Sequence, residues 1–460
     1  MELAPRIDWM PVKINENVIK GLSADKVLVI IPATKPCFYK LWSIMAAAEK
    51  FSLPYIILNP GQHYDELLGH GLKEFNFLEK VAVDLQIRGD LSQKSAELFS
   101  KIKSLSTYLK KAFPKVTFVP YVNGDTVTAG ILPVAWMFSF NQKVIHGEAG
   151  LRGMAPESFR SLKITEPEYY IDKQFNGNWQ LLREEPFPEQ WDTYVGSAGS
   201  QFMFAPVNLN KMHLLREGYQ DECIWTVGNT VVDAIGLKKR SKPEESIFSV
   251  YPKLESGEWL RIDIHRRGNL TEKRFKAIVG SVIDMVNSGK NVVMVELTAT
   301  RKALEYYGLR NKLLHLSKRK NFLFTPLWKE YSHVIEFITS QHCWSILTDS
   351  GSMQEEMNEI GKPCLTARFN TDRPETVMEA HSNLLVPPVS REIITKLVGY
   401  VANNEGLRKS MASAKKLYGE EVGNKIVKII KEEIFSQNTF KWAHEVLGLW
   451  REHNNKLEYL

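Results

Sequence analysis

The chain has 460 residues, 44% of them hydrophobic, which is enough for more than one buried core and predicts two domains. Its 59 basic and 53 acidic residues are dispersed; a net charge of +6, with small clusters such as Lys318-Arg319-Lys320 at solvated helix ends, argues against nucleic-acid binding. Four separated cysteines (Cys37, Cys223, Cys343, Cys364) show no CxxC spacing, and the N-terminal stretch carries Asp8, Lys13, Glu16 and Lys20 with no long apolar run, so we expect neither a disulfide framework, a zinc site, a signal peptide nor membrane insertion, and a cytoplasmic location.

Residues 1–25 precede the first clear strand, Lys26 to Ile31. Further strand-like runs follow at Tyr55–Leu58, Val116–Val122, Lys143–His146 and Phe202–Ala205. Between them Leu98, Ile102, Leu105 and Leu109 recur at helical spacing, and Pro114 ends that run. This half predicts one doubly wound unit. The segment Trp225 to Thr230 leads through an apolar helical run into a second, with the charged stretch Lys238 to Glu245 at its surface. Its strand candidates are Trp259–Ile264, Asn291–Glu296, Phe322–Phe324, Trp344–Thr348 and Cys364–Ala367, and a final amphipathic helix spans Thr439 to Trp450. Alternating strands and helices predict an α/β fold with two parallel sheets. Ligands then belong in the cleft at the carboxyl ends of the strands, so functional residues are sought in the loops just after them.

The run Leu347-Thr348-Asp349-Ser350-Gly351-Ser352-Met353-Gln354-Glu355-Glu356 has this form. Ser352 with Glu355 three residues later reads as a capping box, which predicts a helix starting there. A strand, a Ser-Gly-Ser turn and a helix start present backbone N–H groups at the positive end of a helix dipole, an arrangement suited to phosphate. Glu356, one turn on, is placed to accept hydrogen bonds from a ribose, so a nucleotide diphosphate fits. Ser/Gly turns of this kind are also common without any ligand.

In the first half, Asn123-Gly124-Asp125-Thr126 and His146-Gly147-Glu148-Ala149-Gly150 each put a carboxylate just past a strand. Asp125 serves equally well as a helix cap, whereas Glu148 has no evident structural duty. Pro186-Phe187-Pro188-Glu189 offers a third carboxylate in a stiff turn, and His265-Arg266-Arg267 follows a strand with groups suited to anionic oxygens. His265 also reads as a satisfied turn histidine.

Taken together, these residues resemble the UDP-N-acetylglucosamine 2-epimerase family. The matching stretches are GQHYD at 61–65, NGDTVT at 123–128, HGEAGLR at 146–152, VGNTVVDA at 227–234, HRR at 265–267, LTDSGSMQEE at 347–356, GKP at 361–363 and TDRPE at 371–375, in the family's order. The resemblance implies a GT-B fold, two Rossmann-like doubly wound domains facing across a cleft that holds UDP. The implied division is an extension over 1–25, a first domain over 26–228 with an insertion at about 153–185, a second over 229–435, and a helix over 436–460 packing back on the first domain. It also implies a homodimer, a UDP-sugar substrate and no metal or redox cofactor. The implied reaction interconverts UDP-GlcNAc and UDP-ManNAc for polysaccharide or glycan precursors, by anti elimination of UDP and its return to a 2-acetamidoglucal.

Carried over by position, Asp125, Glu148 and Glu189 are the acid/base groups and His265 stabilises the departing diphosphate. Ser350, Gly351 and Ser352 hold phosphate, Glu356 the ribose, and Arg373 the sugar or phosphates. Arg266 joins the substrate contacts; Lys35, normally arginine in the family, and Lys40 occupy two basic positions, and uracil lies near Pro326 to Tyr331. The departures are Ser352 for a glycine, Gly268 for a glutamate, Val295-Glu296-Leu297 for a Pro-Val-His segment that serves regulation in bacterial members, and Thr193 for an arginine. Glu157 competes with Glu189 for the third carboxylate, and the ungapped run to Phe204-Ala205-Pro206 favours Glu189. Alternatives are a hydrolysing 2-epimerase, an epimerase of a UDP-2,3-diacetamido uronic acid, a GT-B glycosyltransferase, or a binding protein without catalysis.

Overall fold

The computed structural model describes residues 12–22, 24–61, 78–142, 144–157, 166–240, 243–328 and 330–436. Two sheets dominate it. The first runs in the order Lys13–Ile14, Val81–Asp84, Tyr55–Asn59, Lys26–Ile31, Thr117–Asn123, Val144–Gly147, Ser200–Ala205 and Ile224–Thr226, parallel throughout except for Lys13–Ile14. The second is all parallel: Phe322–Pro326, Asn291–Glu296, Trp259–Asp263, Cys343–Thr348, Cys364–Thr366 and Asn383–Leu385. Runs such as Lys26-Val27-Leu28-Val29-Ile30-Ile31 are buried from Val27 onward, as expected of parallel strands covered by helices on both faces. The strands not anticipated from the sequence, Lys13–Ile14, Val81–Asp84, Ile224–Thr226 and Asn383–Leu385, are short and lie at or next to sheet edges.

Local chemistry sets the helix limits. Asp90 and Gln93 form a reciprocal capping box at 2.9 Å each, and the helix Leu91–Ala112 then buries Leu98, Ile102, Leu105 and Leu109 before stopping short of Pro114. Thr126, not Asp125, caps the helix Val127–Phe140, accepting the Ala129 N–H at 3.2 Å. The cap reading of Asp125 therefore fails, and its side chain is left for other work.

Beneath the two sheets a continuous apolar cluster joins Leu28 and Phe38 through Val231 and Ile235 to Ile346 and Met357. Into it the chain returns after the second sheet. The helix Val422–Ile429 and the π-turn Ile430–Ile434 pack on the helix Lys35–Lys50, with Asp233 accepting the Gly423 N–H at 2.8 Å and Lys431 donating to the Phe51 carbonyl at 2.7 Å. The crossing back is thus already made by residues 422–434; the helix expected over 439–450 lies outside the described residues, as do residues 1–11 and most of the 61–65 motif. No helix among the described residues is long and apolar enough to cross a membrane.

The described residues between 153 and 185 pack against elements of the second sheet. A hairpin pairs Met154–Pro156 with Trp179–Leu181, and Met154 exchanges backbone hydrogen bonds with Thr371 at 2.8 and 2.9 Å. The helix Pro167–Asn176 places Tyr170 and Ile171 in the second unit's core. Buried Gln174 brackets Leu385, accepting its N–H at 2.8 Å and donating to its carbonyl at 3.0 Å. Residues 158–165 lie outside the described part.

Candidate active site

The strand Cys343–Thr348 delivers the chain to Ser350, which is the N-cap of the helix Gly351–Ile360 and makes no side-chain capping bond. The helix therefore begins two residues earlier than expected, and Ser352 lies inside it. Glu355 does not reach back to close a capping box. It is fully buried and receives Lys40 Nζ at 2.8 Å and Arg373 Nε at 2.5 Å. Two buried cations outbid a backbone N–H for one carboxylate, which is why the local pattern misleads. At the helix start, a Cβ added to Gly351 would stand 3.2 Å from the Arg373 guanidinium carbon. A guanidinium and a helix N-terminus, both positive, thus converge on one point, where an anionic group offsets both.

Asp349, fully buried, organises the facing loop. It accepts the backbone N–H groups of His265 (3.0 Å) and Arg266 (2.9 Å) and the Asn269 amide (3.0 Å), and the His265 Nδ1 lies 3.1 Å away. Burial alone would raise the Asp349 pKa, but the His265 imidazole and these N–H donors hold it down to about 2. Burial likewise opposes charge on His265, yet the Asp349 carboxylate wins and raises its pKa above the ordinary value. His265 is thus more than a satisfied turn histidine: its ring is charged more readily and its side chain remains 38% exposed. Arg266 pairs with Glu189 across the cleft.

From the first unit, Asp125 stands 3.5 Å from Arg373 Nη1. Glu148 is buried with φ +57°, a left-handed backbone that few non-glycine residues adopt, and its Oε1 lies 2.5 Å from Lys40 Nζ. Burial would lower the Lys40 pKa, but the Glu148 and Glu355 carboxylates raise it beyond the normal lysine value. Glu189 opens the helix Glu189–Ala198 at the cleft wall, whereas Glu157 is exposed and serves the insertion through its backbone bond to Asn178 at 2.8 Å. Geometry favours Glu189 over Glu157.

These groups share one cavity of about 470 Å³. Lys40, Asp125, Glu148 and Glu189 line it from one side; His265, Arg266, Ser350, Gly351, Ser352 and Arg373 line it from the other. Glu356 is not among the lining residues. It is buried against Tyr331, whose ring stacks on Tyr39 at 4.3 Å, and burial pushes its pKa up to about 7 despite the hydrogen bond from Tyr331. The side chain of Lys35 lies outside the described part. Asp349, Glu355 and Asp192, which also lines the cavity, were not picked out from sequence. The first two sit inside the 347–356 motif, the only signal that marks them; Asp192 sits one turn beyond Glu189. The arrangement sets carboxylates over a sugar-sized space and cations over the place of an anionic leaving group, as proton transfer coupled to anion departure requires.

Comparison with known proteins gives one answer. The family model described as UDP-N-acetylglucosamine 2-epimerase matches residues 182–431. The UDP-N-acetylglucosamine 2-epimerase of Methanocaldococcus jannaschii is 30% identical over 386 residues, covering 82% of this chain and 93% of that protein. That of Bacillus subtilis is 28% identical over 421 residues, or 89% and 95%. The crystal structure of the M. jannaschii enzyme in complex with UDP-GlcNAc and UDP superimposes with a TM-score of 0.69 at 26% identity, covering 88% of this chain and 99% of that one.

Proposed function

The chain belongs to the UDP-N-acetylglucosamine 2-epimerase family, with its GT-B-like two-domain α/β fold, and from that membership we propose that it is an isomerase interconverting UDP-GlcNAc and UDP-ManNAc. One observation carries this reading to the residues: Asp125, Glu148 and Glu189 from one unit share a single cavity with His265, Arg373 and the Ser350–Ser352 helix start from the other. In the proposed course, the helix start, Arg373 and Arg266 hold the diphosphate, and His265, kept protonated by Asp349, offsets the charge that develops as the bond from carbon 1 breaks. The hydrogen on carbon 2 is weakly acidic, so its removal by a carboxylate and the departure of UDP assist each other, leaving a 2-acetamidoglucal. Return of UDP with protonation on the opposite face completes inversion. Two faces need separate acid/base groups, which several cleft carboxylates can supply.

Incubation with UDP-GlcNAc in heavy water, followed by NMR, tests the reading. UDP-ManNAc carrying deuterium at carbon 2 is expected; free ManNAc with UDP would make the protein a hydrolase instead, and no exchange would reject elimination chemistry. One observation favours a variant substrate. A side pocket of about 200 Å³ adjoins the cavity at Glu189; of its four arginines, Arg266 is paired with Glu189 and Arg368 with Asp372, and Arg267 and Arg274 have no carboxylate partner among the described residues. A sugar bearing a carboxylate suits that excess of cations, so a UDP-2,3-diacetamido uronic acid belongs in the same assay. A cytoplasmic homodimer completes the proposal. Exposed Phe99 and Phe138, 6.1 Å apart on the paired helices Leu91–Ala112 and Val127–Phe140, support a subunit contact that sedimentation can check.

A further inference from the structure

Three of the cleft carboxylates face a cation: Asp125 faces Arg373 and Glu148 faces Lys40, both cations shared with Glu355, and Glu189 faces Arg266. Such a setting suits a proton acceptor better than a donor. Yet a glycal held between two faces needs a donor as well as a base. Asp192 is built differently. It lines the same cavity one helical turn after Glu189, is only 7% exposed, and makes no ion pair among the described residues. Its Oδ2 is buried with no hydrogen-bond partner. The place is shaped for it: a Cβ on Gly130, in the facing helix, would stand 2.9 Å from Asp192 Oδ1 and 2.8 Å from its Cα, so only glycine lets the two helices close around the carboxyl.

We propose that Asp192 is a fourth acid/base group of the reaction, the donor that delivers a proton to carbon 2 on one face of the sugar. This rests on the epimerase reading above. Burial, then the negative charges of Asp125 and Glu189, push its pKa up to about 8, so it holds its proton at neutral pH. In the return step the Asp192 O–H bond breaks, the glycal π pair takes the proton at carbon 2, and a UDP oxygen bonds carbon 1. The electron pair of the O–H bond stays on the carboxylate, and the proton gained earlier by the base returns to it through solvent. When Asp125 or Glu189 takes up the substrate proton, one repelling charge disappears and Asp192 becomes the stronger acid at the moment a donor is needed.

Microscopic reversibility supplies the test, because the donor to one face is the base for that epimer. Wild type and Asp192→Asn are incubated in heavy water with UDP-GlcNAc and, separately, with UDP-ManNAc, and UDP binding is measured alongside. Asp192→Asn is expected to bind UDP normally and to exchange carbon 2 of one epimer, while exchange of the other and net interconversion fall about 100-fold or more. In Asp192→Ala, added formate should restore part of the lost face. Equal loss or equal retention for both epimers, with UDP still bound, overturns the proposal. So does failure of both variants to bind UDP, which would make Asp192 a structural residue. A wild type that exchanges neither epimer overturns the epimerase reading itself, whatever the variants do.

Discussion

Asp349→Asn isolates the charge behind the phosphate-facing loop. Three donors surround this buried carboxylate, His265 N, Arg266 N and Asn269 Nδ2 at 2.9 to 3.0 Å, and the His265 ring faces it at 3.1 Å. An amide keeps one acceptor oxygen and turns an NH2 group towards donors on the other side. The carboxyl is held at about 2 against an ordinary 3.8. That shift, nearly two pH units at about 1.4 kcal/mol each, means about 2 kcal/mol of preference for the ionised form. Because its folded pKa is depressed, this contribution is present above the unfolded value and is lost as pH falls through the folded one, so the window is pH 4 down to 2 and the term is whole at neutrality. The variant should therefore lose about 2–4 kcal/mol at pH 7 in urea unfolding, the upper end including the mispaired amide. His265 runs the other way. Its pKa is raised, so its contribution is full below about 6.5 and fades as pH rises through the folded value. Without Asp349, burial acts unopposed and the imidazole neutralises earlier. The alkaline limb of the epimerisation rate should move to lower pH. An unmoved limb together with unchanged stability would show that Asp349 does not hold the proton on His265.

Glu148→Gln should abolish deuterium exchange at carbon 2, a fall of about 100-fold or more, while UDP still binds; lost UDP affinity would give Glu148 a binding role instead. Gln174→Ala removes both hydrogen bonds to Leu385 and strands its buried N–H, so calorimetry should show a loss of about 2–4 kcal/mol, and an unchanged melting point would mean the insertion is not anchored there. Gly351→Val forces the Arg373 guanidinium away from the helix start; titration should show UDP binding at least about tenfold weaker, with some stability lost as the buried Arg373–Glu355 pair is strained, and intact affinity would separate Arg373 from the diphosphate.

The parts of this molecule legible in its sequence are those written locally. Parallel strands buried on both faces read as apolar runs, so Lys26–Ile31 and Asn291–Glu296 come out with the same limits from sequence and structure. The cavity loops at Asp125, Glu148, His265 and Ser350 each follow such a run, whereas Glu189 follows an exposed hairpin strand and had no such marker. What escaped depends on residues far apart in the chain. Glu355 looked like a capping partner because Ser352 stands three residues before it; its true partner, Lys40, is 315 positions away. Lys40 also meets Glu148, 108 positions along the chain, a contact no local pattern reveals. Glu356 shows another limit: one turn into the helix is the spacing that suggested the cleft, and its burial against Tyr331 is not written in that spacing. The insertion offers only a short amphipathic helix, and nothing in Tyr170 or Gln174 says that their partner is Leu385.

The ion pairs also explain why the two units must come together for anything to happen. Lys40–Glu355, Arg373–Asp125 and Arg266–Glu189 each join a residue of one unit to a residue of the other. On the proposed reading, a diphosphate competes with Asp125 for Arg373 and with Glu189 for Arg266. A carboxylate that cedes its cation to phosphate is left facing the sugar with its oxygens free to accept. That release would come only where a nucleotide sugar has already taken its place, so that phosphate binding and proton abstraction are one event seen from two ends of the cleft. Lys40 and Glu355 stand apart from this exchange: fully buried and mutually satisfied, they brace Glu148 and Arg373 whichever partner the other cations hold.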